Sequence, residues 1–523
     1  MNPQSEPPPA PGTNLSPSQS QSQSQGQGQG QGQGPLPPLT ERMLFDGYQR
    51  HPTAWDELFA ATDRPHSHCA TLAERLGSLS VQEFQQLRAN ADIVFINQGI
   101  TFSVYADRRG TEKIFPYDLI PRPVSAKEWV PMETGLVQRI RALNLFLHDV
   151  YHDRKILKDG IVPEQLVLES KAYRPEMVGF DPPGNQYLHV VGTDLVRDVN
   201  GQFLVLEDNG RTPSGVSYVL ENRVVMKKVF PRLFQRFRVR RVEDYPQRLR
   251  EALRSVAPPA AQDNPCVVLL SPGIYNSAYF EHSFLARHMG IELVLGQDLF
   301  VHDDRVFLKT THGPQRVDVI YRRLDDDFLD PKAFRPNSLQ GVPGLFSAYR
   351  AGNVTLANAV GTGIADDKAI YPFVEEMIRY YLSEEPILHN VPTYICARPA
   401  DMAYTLEHLE ELVVKAVNES GGYGMLMGPS STKEQRIDFA AKIKANPRNY
   451  VSQPVVTLST CPTWTDEGPA PRHVDLRPYI VSGTSTWVLP GGLTRTALVK
   501  GSLVVNSSQG GGSKDTWVLE NGT

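Results

Sequence analysis

Asp194, Glu207 and Asn209 are the residues whose types and spacing most directly suggest chemistry. They lie in residues 193–209, where two β-prone runs flank Asn200-Gly201. That pair favours a two-residue type I′ hairpin turn. With such a turn Val199 faces Gln202, Val196 faces Val205 and Asp194 faces Glu207. Opposed residues of an antiparallel pair project from the same side, about 5 Å apart. Alternation along the strand puts Asn209 on that side as well. Two carboxylates so held repel, unless one is protonated or a cation lies between them. Together with an amide carbonyl they form a hard-oxygen set suited to magnesium. A solvated surface hairpin with screened acids fits the same pattern.

A second group of residues suits phosphate. Lys415 ends a β-prone run at 411–415, and the chain then passes through Gly421, Gly422 and Gly424. An ammonium there neutralises phosphate charge, while loop amides donate hydrogen bonds to phosphate oxygens. A plain hairpin turn fits that stretch equally well. No GxGxxG follows a clear strand and GxxxxGK[ST] is absent, so neither the dinucleotide fingerprint nor the P-loop applies. Arg322 and Arg323 end another β-prone run, in a place suited to an anionic ligand or to an ion pair. Residues 227–241 are basic, with Phe230, Phe234 and Phe237 interleaved. Their spacing favours a helix with the rings inward over a nucleic-acid surface. His66, His68 and Cys69 lack a second ligand pair and read as local polarity, not zinc.

The elements that must position these groups are those of a globular chain. The 523 residues are 40% hydrophobic and 21% charged, with a formal charge of −5. This predicts two to four domains and argues against a general nucleic-acid binder. No run of 18 apolar residues and no charged, then apolar, N-terminal block occurs. The expectation is therefore neither a membrane span nor a secretory signal, and a cytoplasmic location. Four scattered cysteines without a CxxC pair predict a reducing compartment and no disulfide framework. Residues 1–39, almost all Pro, Gln, Ser and Gly, are predicted to be disordered. Residues 40–260 carry the hairpin, with predicted helices at 81–87 and 136–151 and a strand at 100–105. The stretch around Pro116, Pro121 and Pro123 is predicted to be a loop. Residues 261–345 show a β-α-β pattern, with strands at 266–270, 291–294 and 317–323 and a helix at 279–289, which implies a small α/β domain. Residues 346–523 hold Lys368, Lys415, the glycine loop and a final series of short strands.

With those pieces placed, the chain resembles the circularly permuted type 2 ATP-grasp family from about residue 43 onward. Three stretches carry the resemblance: Asp194 with Glu207-Asp208-Asn209, Lys368 with Lys415 ahead of a glycine loop, and residues 477–515 with Pro490-Gly491-Gly492-Leu493-Thr494-Arg495 and Asn506-Ser507-Ser508-Gln509-Gly510-Gly511-Gly512. Glu207 precedes Lys415, the reverse of ordinary ATP-grasp order and similar to eukaryotic glutathione synthetase and glutathionylspermidine synthetase. The resemblance implies an α+β, circularly permuted ATP-grasp fold with an inserted small α/β (Rossmann-like) domain. It implies an ATP- and Mg2+-dependent carboxylate–amine ligase acting through an acylphosphate on a small acid, peptide or amine. Asp194, Glu207, Asn209 and Glu419 are its expected metal ligands. Lys368 and Lys415 would hold the α- and β-phosphates, Gly421, Gly422 and Gly424 would close over the nucleotide, and Gln453 would lie by the adenine. Arg211 and Arg495 are the candidates for binding the acylphosphate or the substrate carboxylate. An arginine often stands two residues before the first metal aspartate in such synthetases. Gly192 holds that place here, with Arg197 or Arg211 as substitutes. A phosphotransferase, or a nucleotide-binding scaffold without turnover, are the alternatives. The expected partners are a small-molecule or peptide substrate, with no nucleic acid and no membrane; a protein partner stays open.

Overall fold

Capping boxes start the two longest helices of the first third of the chain. The computed structural model describes residues 38–103, 112–114, 116–261, 263–417, 424–505 and 511–520. The Gln/Ser/Gly/Pro stretch up to residue 37, and Glu419, Gly421 and Gly422, lie outside the described residues. Ser80 and Glu83 cap helix α1 (Val81–Asn97), and Ser125 and Glu128 cap α2 (Ala126–Tyr151). Each box satisfies two amide donors that a helix start leaves without partners. Helix α2 therefore begins well before the expected residue 136. Its buried face, with Trp129, Leu136, Ile140, Leu143 and Leu147, lies in the main core. Each such Leu or Ile contributes roughly 1.5–3 kcal/mol by leaving water. Gly135 permits close packing here, because a Cβ at that position would meet Leu388 Cγ at 2.7 Å.

The proline-rich stretch expected as a loop is instead a buried strand, β1 (Tyr117–Val124). It pairs in parallel with the strand at Gly512–Val518, the last among the described residues, at one end of the largest sheet. A terminal strand bonds a neighbour on one side only, so it tolerates prolines that lack an N–H.

The hairpin is formed by β2 (Val190–Arg197) and β3 (Phe203–Asn209), and Asp194 does oppose Glu207. The turn is not the expected one. Asp198 N donates to Gln202 O (2.9 Å), its Oδ1 accepts from Asn200 N (2.9 Å) and Gln202 N (2.8 Å), and Gly201 takes φ +82°. A type I′ turn needs positive φ at both central residues. The longer turn sets Val196 opposite Leu204 and Leu195 opposite Val205. A bulge between Val205 and Glu207 then shifts the register back by one. Two irregularities cancel at the acidic pair, which is why the simple count gave the right partners there and the wrong ones nearer the turn.

The small parallel sheet contains β4 (Val267–Leu270), β5 (Glu292–Val294), β6 (Val319–Arg322) and β7 (Thr355–Ala357), in the order β7-β6-β4-β5. Helix α3 (Tyr279–Met289) connects β4 to β5. Residues just beyond β6 and β7 fasten this sheet to the hairpin. Arg323 donates to Ser214 Oγ (2.6 Å), and Asn358 Nδ2 donates to Val190 O (2.7 Å) and Gly210 O (2.8 Å).

A four-stranded antiparallel sheet carries the second lysine. Its order is β9-β12-β10-β11, with β9 (Tyr394–Ile395), β10 (Leu412–Ala416), β11 (Met425–Met427) and β12 (Tyr450–Pro454). The largest sheet runs β8-β3-β2-β13-β15-β16-β1, with β8 (His389–Asn390), β13 (Gly468–Arg477), β15 (Leu493–Thr496) and β16 (Gly512–Val518). A further strand, β14 (Tyr479–Ser482), also pairs with β2. All four cysteines are free thiols. Among the described residues no helix is long and apolar enough to cross a membrane.

Candidate active site

Alternation along β3 divides three consecutive polar residues between two environments. Glu207 and Asn209 line a cleft of about 240 Å³. Asp208 is buried in a salt bridge with Arg139 (2.7 Å) and accepts a hydrogen bond from Thr193 Oγ1 (3.0 Å). Asn209 Nδ2 donates to Gly192 O (3.1 Å), which leaves its side-chain oxygen outside that bond. Glu207 Oε2 lies 3.5 Å from Lys368 Nζ.

Asp194 is the most constrained of the predicted ligands. Both its oxygens meet guanidinium groups, from Arg477 (Oδ2, 2.8 Å; Oδ1 closer) and from Arg495 (Oδ2, 2.7 Å). Burial pushes this carboxyl up, and the two arginines overcome that and hold it below the ordinary carboxylate range. Arg495 also binds Asp475 through Nε (3.0 Å), so it faces two carboxylates. Burial raises Asp475, and the negative Asp194 beside it acts in the same direction.

Lys415, on β10, donates to Gln453 Oε1 (2.7 Å) on β12, and Gln453 Nε2 donates to Thr393 Oγ1 (2.9 Å). Its surface is only partly open, and protein packed around the ammonium draws its pKa down to about 8. Nearby Glu207 and Asp194 oppose that shift and Lys368 adds to it. These mutual influences place both lysines and both acids in one electrostatic neighbourhood. Gly424 takes φ +64°, a left-handed conformation that favours glycine, directly before β11.

Arg211 borders the cleft and is 38% exposed on its side chain. It is bound through Nε to Asp366 Oδ2 (2.8 Å) and lies 3.7 Å from Asp325. Arg197 does not substitute at the phosphate position. It is buried against Glu57 (3.1 Å) and Glu128 (2.7 Å).

Two residues of the site are missed by sequence reasoning. Asp366 receives the Gly210 amide and the Arg211 guanidinium, which ties the loop after β3 to the Lys368 segment. Arg477 brings a guanidinium to Asp194 from β13, and a Cβ on Gly192 would lie 3.3 Å from the Arg477 Cδ. The glycine where an arginine is customary was the available signal: it leaves room for an arginine from the neighbouring strand.

The donor set fits a hard divalent cation. Glu207 and Asn209 offer oxygens at the cleft, and Asp194 would join them by releasing an arginine. The sequence model of circularly permuted ATP-grasp type 2 matches residues 121–497. The chain belongs to this family. ATP-grasp proteins generally use ATP with Mg2+, and the hairpin-before-lysine order seen here is that of the permuted fold. Among relatives, an uncharacterized protein of Synechocystis sp. is 57% identical over 90% of this chain and 98% of its own length. One of Mycobacterium tuberculosis is 49% identical over 92% and 87% respectively. A Frankia casuarinae protein provisionally named glutamate–cysteine ligase 2-2 is 40% identical over 91% of this chain, but only 54% of that longer protein is matched. The solved structure of a glutathione synthetase-like effector from Globodera pallida shares the fold, with a TM-score of 0.53 at 11% identity, covering 84% of this chain and 97% of that one.

Proposed function

We propose that this ATP-grasp protein is a carboxylate–amine ligase that activates a small acid or peptide as an acylphosphate, which an amine then attacks with release of phosphate. The observation that carries the reading is the convergence of Lys368 and Lys415 on Glu207 and Asp194 across three separated parts of the chain. Lys368 and Lys415 hold the α- and β-phosphates. Glu207 and Asn209, with Asp194 and Glu419, would hold Mg2+, which would offset the charge that develops on phosphoryl transfer. Arg211, at the cleft and partly exposed, receives the substrate carboxylate or the acylphosphate. Arg495 backs Asp194 and fixes its orientation. The glycine loop containing Gly421, Gly422 and Gly424 keeps water from the acylphosphate. The ligase name of the Frankia relative agrees with this reading, although it belongs to a protein of about twice the matched length.

The decisive experiment is an ADP-release screen over amino acids, short peptides and polyamines, with and without Mg2+. ADP formed only when an acid and an amine are both present, with a joined product, supports ligation. A stable phosphorylated product formed without any amine replaces ligation by phosphotransfer. ATP binding without ADP release over the whole panel removes both.

Lys415 gives this reading a pH signature. Its ammonium has a pKa of about 8 in the free protein, so it is charged below that pH and increasingly neutral above it. The expected result is that kcat/KM for ATP falls above about pH 8, while kcat at saturating ATP changes less. Lys415→Arg should move the fall to higher pH. A profile unaltered by that substitution would remove Lys415 from phosphate binding.

A further inference from the structure

The cleft that the hairpin lines is also lined by residues 325–328, just beyond β6 and Arg323. Most carboxylates there are engaged by nearby cations. Asp326 binds Arg322 (2.8 Å), Asp327 binds Arg174 (2.7 Å), Asp366 binds Arg211 (2.8 Å) and Asp367 binds Arg448 (2.6 Å). Asp325 is different. It holds the N-cap position of the short helix Asp326–Leu329, yet its side chain makes no capping bond. That side chain is 53% exposed.

Among the described residues the one ion pair of Asp325 is with Arg211, Oδ1 to Nη1 at 3.7 Å. This is too long for a hydrogen bond. It is also short enough that a group bound by the guanidinium falls within reach of the carboxylate. Arg211 is itself held in place, because its Nε donates to Asp366 Oδ2 (2.8 Å). A base must come within about 2.6–3.2 Å of the atom whose proton it takes. A nitrogen approaching an acyl group on Arg211 from the Asp325 side meets that condition.

Resting on the ligase reading above, we propose that Asp325 docks the attacking amine as its ammonium ion and takes a proton from it. The nucleophile is then a primary amine that arrives charged. An ammonium has no lone pair to attack with, and it carries two protons more than the amide needs. Asp325 takes the first, which frees the lone pair. The nitrogen–carbon bond forms, the bond from that carbon to the phosphate oxygen breaks, and the second proton leaves with hydrogenphosphate. Asp325 then returns its proton to water, to which its side chain is open.

The test gives the full chain ATP, Mg2+ and a panel of amino acids, short peptides and polyamines, which supplies both acids and protonated amines. Hydroxylamine is added in parallel. It is uncharged near neutral pH and traps an acylphosphate as a hydroxamate without a base. Amide is measured by mass spectrometry and hydroxamate by its colour with iron(III). Asp325→Asn should lower the ratio of amide to hydroxamate by about 10²-fold or more, and Asp325→Glu should restore part of it. The substitutions carry little risk to the fold at so exposed a position. An unchanged ratio removes Asp325 from the amine site and leaves the ligase reading standing. Hydroxamate without amide from the parent overturns the protonated amine as nucleophile. Neither product from the parent overturns the ligase reading, and this proposal with it.

Discussion

Glu207→Gln is expected to reduce ATP turnover by at least about 10³-fold while leaving Tm close to that of the parent. The substitution preserves shape and removes the negative charge that faces Lys368 and the cleft. Groups that balance charge developing in a transition state carry effects of about 10²–10³ singly, and more where a metal charge is lost with them. Little stability is at stake, because Glu207 is partly exposed and its contact with Lys368 is a long one. ADP release at the parent rate, measured with saturating Mg2+, would remove Glu207 from the metal set.

Asp208→Ala is expected to do the reverse one residue along. Its carboxylate is the buried partner of Arg139, whose guanidinium also donates to Asn390 (2.8 Å). Removing one member of such a pair leaves an uncompensated charge in the core, at a cost of about 3–5 kcal/mol. Denaturant unfolding should show that loss in the midpoint with an unchanged slope. A change below about 1 kcal/mol would mean that the pair contributes little. Two acids adjacent in sequence thus separate chemistry from stability, because neighbouring side chains of a strand face opposite ways.

Much of this was legible in the sequence, for reasons that are local. The helix at Tyr279–Met289 and the strand ending near Lys415 follow from period, whereas the opposition of Asp194 and Glu207 matches the simple count only because a longer turn and a bulge cancel. The hairpin's true turn did not, since Asn-Gly also occupies a longer turn in which only Gly201 takes positive φ. β1 was hidden by its prolines, which count against a strand except at the end of a sheet. The contacts of Arg477 and Arg495 with Asp194 were out of reach because 283 and 301 residues separate the partners.

The pairing of β1 with β16 has a consequence for how the molecule is made. The first strand of the largest sheet finds its neighbour far along the chain, and β2 likewise waits for β13 and β14. Arg223 and Asp118 are in the same position, with their partners Asp515 and Lys514 on or beside that distant strand. Loop closures of this length are slow to form and bring no reward until they are complete. Until those distant strands are made, β1 is without its mate, and Asp194 has none of the arginines that orient it. The cleft beside the hairpin is therefore a late product of folding, assembled only when the distant strands are in place.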